Sequence, residues 1–242
     1  MLKTQWHGRR RRAHRQRGAA LVEGALIFPL LMFLVFGIIE IGGLLSTYSA
    51  TANAVRAGGR MASVQGSDAT TDQATLERIA QEGTAIRNGE IRYIIVWHAA
   101  GPASTVPSEC LGTADALGAA NSTSQGRSVS GPGDCNIYAY PQADGGAFDM
   151  ALGQATNPDP AFYFGCTGAG DPDAAHKVDC NWPGLVRETV ISPRGVTPRV
   201  EPDYVGIYVR IEYQYLTGLL GSIRTITDNS ITLLEPDNFE ES

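Results

Sequence analysis

The four cysteines are the residues with the clearest chemical potential, and all of them lie between positions 99 and 203. An even number of cysteines in a loop-rich segment outside the cell indicates disulfide bonds, because that compartment permits oxidation. Three pairings are possible, and we favour Cys110–Cys135 and Cys166–Cys180, which close the two shortest loops. A zinc site is the competing interpretation, but no two cysteines are two to four residues apart, and His176 alone does not complete a site.

Candidate catalytic residues are few. Only His98 and His176 lie beyond the first 18 residues, and the chain has no nucleophile elbow, phosphate-binding glycine loop or metalloprotease motif. Three aspartates (Asp159, Asp171 and Asp173) could bind calcium, but their spacing does not match a known loop, so solvated turns are the simpler interpretation. We therefore expect a protein that is not an enzyme and that needs no cofactor or metal.

The charge is distributed unevenly along the chain. Residues 1–18 carry seven of the 19 Lys and Arg residues and no acidic residue, which leaves 12 basic against 25 acidic residues in the rest. Arginine clusters can bind nucleic acid, but this one directly precedes a long apolar run. That position favours retention on the cytoplasmic side of a membrane, so we expect no nucleic-acid partner.

The apolar run predicts one membrane-spanning helix. No charged residue occurs from Gly24 to Ile39, and the apolar character resumes after Glu40. A bilayer core of about 30 Å needs about 20 helical residues, so the span extends towards Glu23 and Glu40 at the two interfaces. Basic residues before the span predict an N-terminus inside and a C-terminus outside. A cleaved signal peptide is the rival, but its apolar region is usually shorter.

The helical pattern continues beyond the membrane. Apolar and small residues recur at steps of three and four, which is typical of one helix face: Leu45, Tyr48, Ala52, Val55, Gly59 and Ala62. Gly66 marks the expected end, and Pro29 is expected to kink the helix. Within the membrane, Gly37, Gly42 and Gly43 would allow close approach of neighbouring helices.

The N-terminal residues also carry a family resemblance. The junction Arg17-Gly18-Ala19-Ala20-Leu21-Val22-Glu23 resembles the processing site of type IV pilin-like proteins. With Pro29-Leu30-Leu31, Gly37-Ile38-Ile39-Glu40 and the small-residue stretch 54–60, the chain resembles the TadE-like pseudopilins of tight-adherence (Tad/Flp) pilus systems. It departs from them at Gly24, where these proteins usually have a bulky apolar residue.

The resemblance implies roles for three residues. A prepilin peptidase would cut after Gly18, Ala19 would become the new N-terminus, and Glu23 would pair with the terminal amine of a neighbouring subunit. A buried carboxylate needs such a partner. The alternative is that Glu23 lies solvated among the lipid headgroups. Glu40 is either an outer-interface residue, which we favour, or a hydrogen-bonding residue between packed helices.

The remainder predicts a small external domain. A helix is expected over about 72–87, followed by a buried strand at Glu90–Trp97. Strict alternation over 205–215 predicts a strand of a sheet covered on one side, with a final strand in Ser222–Thr227 or Ser230–Glu235. The C-terminal pattern also resembles TadE-like proteins.

The predicted fold is therefore α+β and pilin-like, with a long N-terminal transmembrane helix packed on a small antiparallel sheet. We divide the chain into a basic cytoplasmic leader (1–18), a transmembrane and projecting helix (19–66), a helix and first strand (67–98), a loop-rich insertion (99–203) and C-terminal strands (204–242). The expected function is that of a minor pilin-like subunit in the bacterial cytoplasmic membrane, with lipid, prepilin peptidase and other pilin-like subunits as partners. The alternative is an uncleaved, membrane-anchored external binding module.

Overall fold

The computed structural model describes residues 10–68, 70–86, 88–119, 127–130, 135–139, 182, 184, 187–188, 202–218 and 220–235. In chain order these contain α1 (Arg10–Gln65), α2 (Thr71–Gly83), β1 (Gly89–Ala99), α3 (Ser108–Ala119), β2 (Arg127–Ser130), β3 (Cys135–Ala139), β4 (Tyr204–Gln214) and β5 (Ile223–Leu233). The predicted α+β class is confirmed. Cys166, Cys180, His176 and the aspartates at 159, 171 and 173 lie outside the described residues.

Helix α1 is continuous over its whole length, including Pro29. It begins at Arg10, inside the segment that we expected to form a separate leader, because no helix-breaking residue other than Gly18 separates the arginines from the apolar run. It ends at Gln65, and Gly66 follows with a φ of 46°, a conformation that glycine adopts without strain.

The five strands form one antiparallel sheet in the order β2-β3-β1-β4-β5. The predicted alternation in β4 is confirmed, since one set of its side chains is buried: Val205, Ile207, Val209, Ile211 and Tyr213. Strand β5 spans both of the regions that we considered for the final strand. The predicted second helix is present as α2, which is shorter than expected but buries Leu76 and Ile79.

The outer half of α1 packs with α2 on one face of the sheet. The residues that the periodicity places on one face of α1 are not all buried: Leu45 is 60% and Tyr48 38% exposed, whereas Val55 is buried. The buried positions of this half are mainly small residues: Thr47, Ala50, Thr51, Ala54, Val55, Gly58, Gly59, Ala62 and Ser63. Small side chains at these positions let the helix backbone approach the strands closely. An added Cβ at Gly59 would lie 3.2 Å from Ser230 Oγ.

The opposite face of the sheet is also covered. This corrects the expectation of a loop-rich insertion and the expectation of a sheet covered on one side. The segment expected to be loop-rich supplies α3, β2 and β3, and β3 pairs with β1 inside the sheet. Cys110 on α3 and Cys135 on β3 form a disulfide, the first of the two pairings that we favoured. Together with Trp97 and Ile137 they form a second apolar cluster, so the sheet is buried on both sides where β1 runs.

Gly206 on β4 leaves no room for a side chain beside Trp97 on β1. It lies opposite Trp97 in the strand register, and an added Cβ would stand 2.2 Å from the indole ring. The indole therefore occupies the space that any other residue at position 206 would fill.

We expect Gly206→Ala to lower the free energy of unfolding by about 1–3 kcal/mol, because overpacking displaces a large buried ring. Gly112→Ala is the matched control: Gly112 is exposed in α3 with no heavy atom within 4 Å of an added Cβ, so alanine should raise stability by about 0.5–1 kcal/mol. Denaturant unfolding of both variants in detergent measures the difference. Equal effects would contradict the packing of Trp97 on Gly206.

Candidate functional site

The half of α1 that precedes Glu40 exposes large apolar side chains in every direction. Among the described residues, α1 is the one helix long and apolar enough to cross a membrane, and almost none of its most apolar stretch is buried against the rest of the protein. The exposed set includes Leu21, Leu26, Phe28, Leu30, Phe33, Leu34, Ile38 and Ile39. The stretch from Ala19 to Ile39 has about 21 residues and a helical length of about 32 Å, which matches a bilayer core.

The residues of the predicted processing site lie at the start of this stretch. Gly18, Ala19 and Glu23 are exposed, and Gly18 has no heavy atom within 4 Å of an added Cβ. All three are in helical conformation. Among the side chains that the structure describes, none forms an ion pair with the Glu23 carboxylate.

The three glycines predicted to pack neighbouring helices divide into two groups. Gly37 and Gly42 have open space where a Cβ would be, so their backbone remains accessible. Gly43 differs, because an added Cβ would stand 2.6 Å from the Tyr213 hydroxyl oxygen of the same chain. The structure therefore corrects the role of Gly43: it lets α1 approach β4.

Glu40 marks the point where α1 meets the sheet domain. Its side chain is fully buried, so Glu40 is shielded from solvent at the outer end of the apolar stretch, and its partners do not come from a packed helix. The carboxylate accepts hydrogen bonds from the Leu216 amide at 3.1 Å, from the Thr217 amide and from the Thr217 hydroxyl at 2.7 Å. These donors belong to the loop between β4 and β5, so Glu40 ties that loop to the helix.

Aromatic side chains complete the surroundings of Glu40. Tyr213 lies against Gly43, one turn further along the helix, and packs edge-on against Tyr215. Burial raises the pKa of the Tyr213 phenol, and the nearby Glu40 carboxylate raises it further. The phenol consequently stays protonated beside the Glu40 carboxylate. The Glu40 site is thus a fixed link between helix and sheet.

A second buried polar cluster surrounds Asp72 at the start of α2. Its carboxylate accepts hydrogen bonds from Arg187 Nη2 at 2.6 Å, from Asn136 Nδ2 at 2.7 Å and from the Tyr138 hydroxyl at 2.6 Å. The Arg187 guanidinium also lies over the Trp182 ring, 4.3 Å from its centroid. The cluster joins α2 to β3 and to the described residues Trp182 and Arg187.

Two titratable side chains near this cluster, Tyr138 and His98, have polar partners. Burial and the neighbouring Asp72 charge raise the pKa of the Tyr138 hydroxyl, which therefore donates a hydrogen bond and remains protonated. His98 is partly exposed, with Nε2 3.1 Å from Asp203 Oδ1 and its ring stacked on Trp182. Within the described part of the chain, no group of three His, Cys, Asp or Glu side chains is arranged to hold a metal ion.

Sequence reasoning missed the roles of Glu40 and Asp72 for the same reason. Glu40 meets its partners 176 and 177 positions later in the chain, and Asp72 meets Arg187 115 positions later. For Glu40, the available signal was an acidic residue inside an apolar helical pattern, since a buried carboxylate requires donors. That signal indicates that partners exist without indicating which ones.

Comparison with known proteins supports the N-terminal resemblance. The family model of TadE-like proteins matches residues 18–60, which begins at the predicted processing glycine and ends within α1. The match therefore covers the helix and leaves the sheet outside it, a narrower range than the resemblance that we noted in the sequence. No curated protein and no solved structure matches the chain.

We expect Glu40→Ala to release the loop between β4 and β5. Hydrogen exchange at the Leu216 and Thr217 amides should become about twofold to tenfold faster, because each loses its acceptor. Glu23→Ala is the matched control, since Glu23 lies on the same helix but is exposed. Unchanged exchange at both amides in Glu40→Ala would show that the loop is held by other contacts.

We expect Asp72→Asn to lower the free energy of unfolding by about 3–5 kcal/mol, because it leaves the buried Arg187 guanidinium without its counter-charge. Glu82→Gln removes an exposed ion pair from the same helix, that of Arg78 and Glu82, and should cost about 0.5 kcal/mol or less. Chemical unfolding of both variants gives the comparison. A loss at Asp72 as small as that at Glu82 would contradict a closed, buried cluster.

Proposed function

We propose that this protein is a minor pilin-like subunit, a pseudopilin, of a tight-adherence type pilus or secretion apparatus. It acts by assembly and not by catalysis. The observation that carries the proposal is the TadE-like match over residues 18–60, which includes the exposed apolar half of α1. The family resemblance thus contains the whole of the uncovered apolar stretch.

The proposed location is the bacterial cytoplasmic membrane, with a single span. The arginine-rich residues before Gly18 remain in the cytoplasm, and the acidic sheet domain lies outside. Lipid covers the apolar side chains that the protein leaves exposed. The disulfide between Cys110 and Cys135 fits an oxidising external compartment.

Assembly would transfer the same helix from lipid to protein. Each large apolar side chain that was instead returned to water would cost roughly 1.5–3 kcal/mol, so the helix can leave the bilayer only into a bundle of neighbouring helices. The open backbone at Gly37 and Gly42 permits the close helix contacts that such a bundle needs.

Glu23 is the proposed assembly residue. Its carboxylate lies in the apolar stretch without an ion pair among the described residues, and the amine created by cleavage before Ala19 on a neighbouring subunit would supply the missing positive charge. Pairing of this kind lowers the cost of keeping a carboxylate in an apolar bundle. Prepilin peptidase and other pilin-like subunits are the partners that this mechanism requires.

The second candidate is an uncleaved, membrane-anchored external binding module. One observation favours it: α1 runs without a break from Arg10 through Gly18, so the peptidase would have to open a helix to reach the bond after Gly18. In this alternative the arginines stay attached and the helix serves only as an anchor.

Processing at Gly18 distinguishes the two. For a pseudopilin, mass spectrometry of the protein from its native membrane should find a chain that begins at Ala19. Gly18→Leu should reduce the processed fraction roughly tenfold or more, because a bulky side chain clashes with a pocket shaped for glycine. Gly24→Leu is the control, as both glycines are exposed in the helix with open space around them.

Retention of the arginine leader in the unaltered protein, with the chain still in the membrane, would favour the binding module. Equal processing of Gly18→Leu and Gly24→Leu would likewise overturn the pseudopilin assignment, since cleavage would then not depend on the family's glycine.

A further inference from the structure

The loop between β4 and β5 lies at the end of the sheet from which the membrane helix departs. The strand ladder closes with the pair Gln214 and Ile223, and the loop connects them. Glu40 holds the amides of Leu216 and Thr217, so this loop is fixed beside the helix position where the predicted span ends.

Two described leucines of this loop and the first residue of β5 are apolar and exposed. Leu216 is 61%, Leu220 50% and Ile223 54% exposed. No residue from 215 to 223 carries a charge, and the first charged residue after the loop is the exposed Arg224. Exposed apolar side chains that occur singly are ordinary, but a cluster of them beside a membrane span points to an apolar surface as the partner.

The exposed apolar surface of the helix continues to the same level. Ile41, next to Glu40, is 49% exposed, and Leu45, one turn further, is 60% exposed. Exposed apolar side chains of the loop and of α1 therefore occur at the level of the buried Glu40 carboxylate. Position beside the end of the span distinguishes these loop residues from Leu233, which is 44% exposed at the other end of β5.

We propose that this loop is a second membrane contact. Leu216, Leu220 and Ile223 enter the boundary between headgroups and acyl chains of the outer leaflet, and the Arg224 guanidinium lies among the lipid phosphates. Amphipathic protein surfaces bind bilayers in this way, with apolar groups buried about 5–10 Å deep. The proposal rests on the membrane anchor of the proposed function and adds an orientation to it.

The Glu40 hydrogen bonds mean that this contact restricts how the external domain can tilt and rotate. A single helix permits its external domain to tilt and rotate, whereas a helix and a loop joined at Glu40 contact the bilayer at two places. The loop also shields the Glu40 carboxylate from lipid, where an unpaired charge would be strongly unfavourable. The strands of the sheet, which run alongside α1, are thereby held upright on the membrane.

Tryptophan substitution in proteoliposomes of the full-length protein tests the contact. The variants are Leu220→Trp in the loop, Leu233→Trp at the far end of β5 and Phe33→Trp in the span. Leu220 and Leu233 are matched, being exposed leucines near opposite ends of the same strand. Emission is compared with that of the unaltered protein, with acrylamide as the aqueous quencher and brominated phosphatidylcholine as the lipid quencher.

We expect brominated lipid to quench the indoles introduced by Leu220→Trp and Phe33→Trp, but not that introduced by Leu233→Trp. Acrylamide quenching should be roughly twofold or more weaker for Leu220→Trp than for Leu233→Trp, as insertion at the headgroup boundary requires. Lipid quenching of Phe33→Trp alone would overturn the loop contact and leave the anchor intact. An absence of lipid quenching in all three would overturn the membrane anchor itself.

A second copy of the chain is the other possible cover of the loop. In that case the indole of Leu220→Trp would be shielded from both quenchers, and dilution of the protein in lipid would restore its access to acrylamide. That result would overturn the lipid contact.

Discussion

One unbroken helix has to satisfy two different surroundings, because α1 continues from its uncovered apolar half into the half that packs on the sheet. In the first half, large side chains such as Phe33 and Leu34 point outward on all sides. In the second half the buried face consists of small residues such as Ala54, Gly58 and Ala62, which bring the helix backbone close to the strands. Because α1 is continuous between the two halves, the sheet domain lies directly beside the point where the span ends.

Glu40 lies at the point where these two surroundings of α1 meet. A carboxylate at the edge of the apolar stretch is unfavourable in lipid and equally unfavourable in a dry protein contact unless donors meet it. The loop between β4 and β5 supplies backbone amides, which are donors that need an acceptor in any case. One interaction thus satisfies a buried charge and two loop amides, and it fixes the position of the sheet along the helix.

The parts of this fold that follow from local pattern were predictable. Alternation predicted β4, and helical periodicity predicted α1 and α2. Strand β3 was not predictable, because five residues between glycine- and proline-rich segments carry too short a pattern, and its place beside β1 depends on distant contacts. Periodicity alone did not separate the buried from the exposed positions of α1, because Leu45 is exposed while small residues allow closer packing on the sheet.

The described residues of the insertion lie on the side of the sheet away from α1. Helix α3 and the Cys110–Cys135 disulfide lie on the face of the sheet opposite α1, and Asp72 holds β3 and Arg187 near the start of α2. No described residue of the insertion lies along the exposed half of α1. Helices α1 and α3 therefore cover opposite faces of the sheet, each with its own apolar cluster. Within the described chain, the packing of α1 and the disulfide-linked cover of β1 and β3 are separate layers on one sheet.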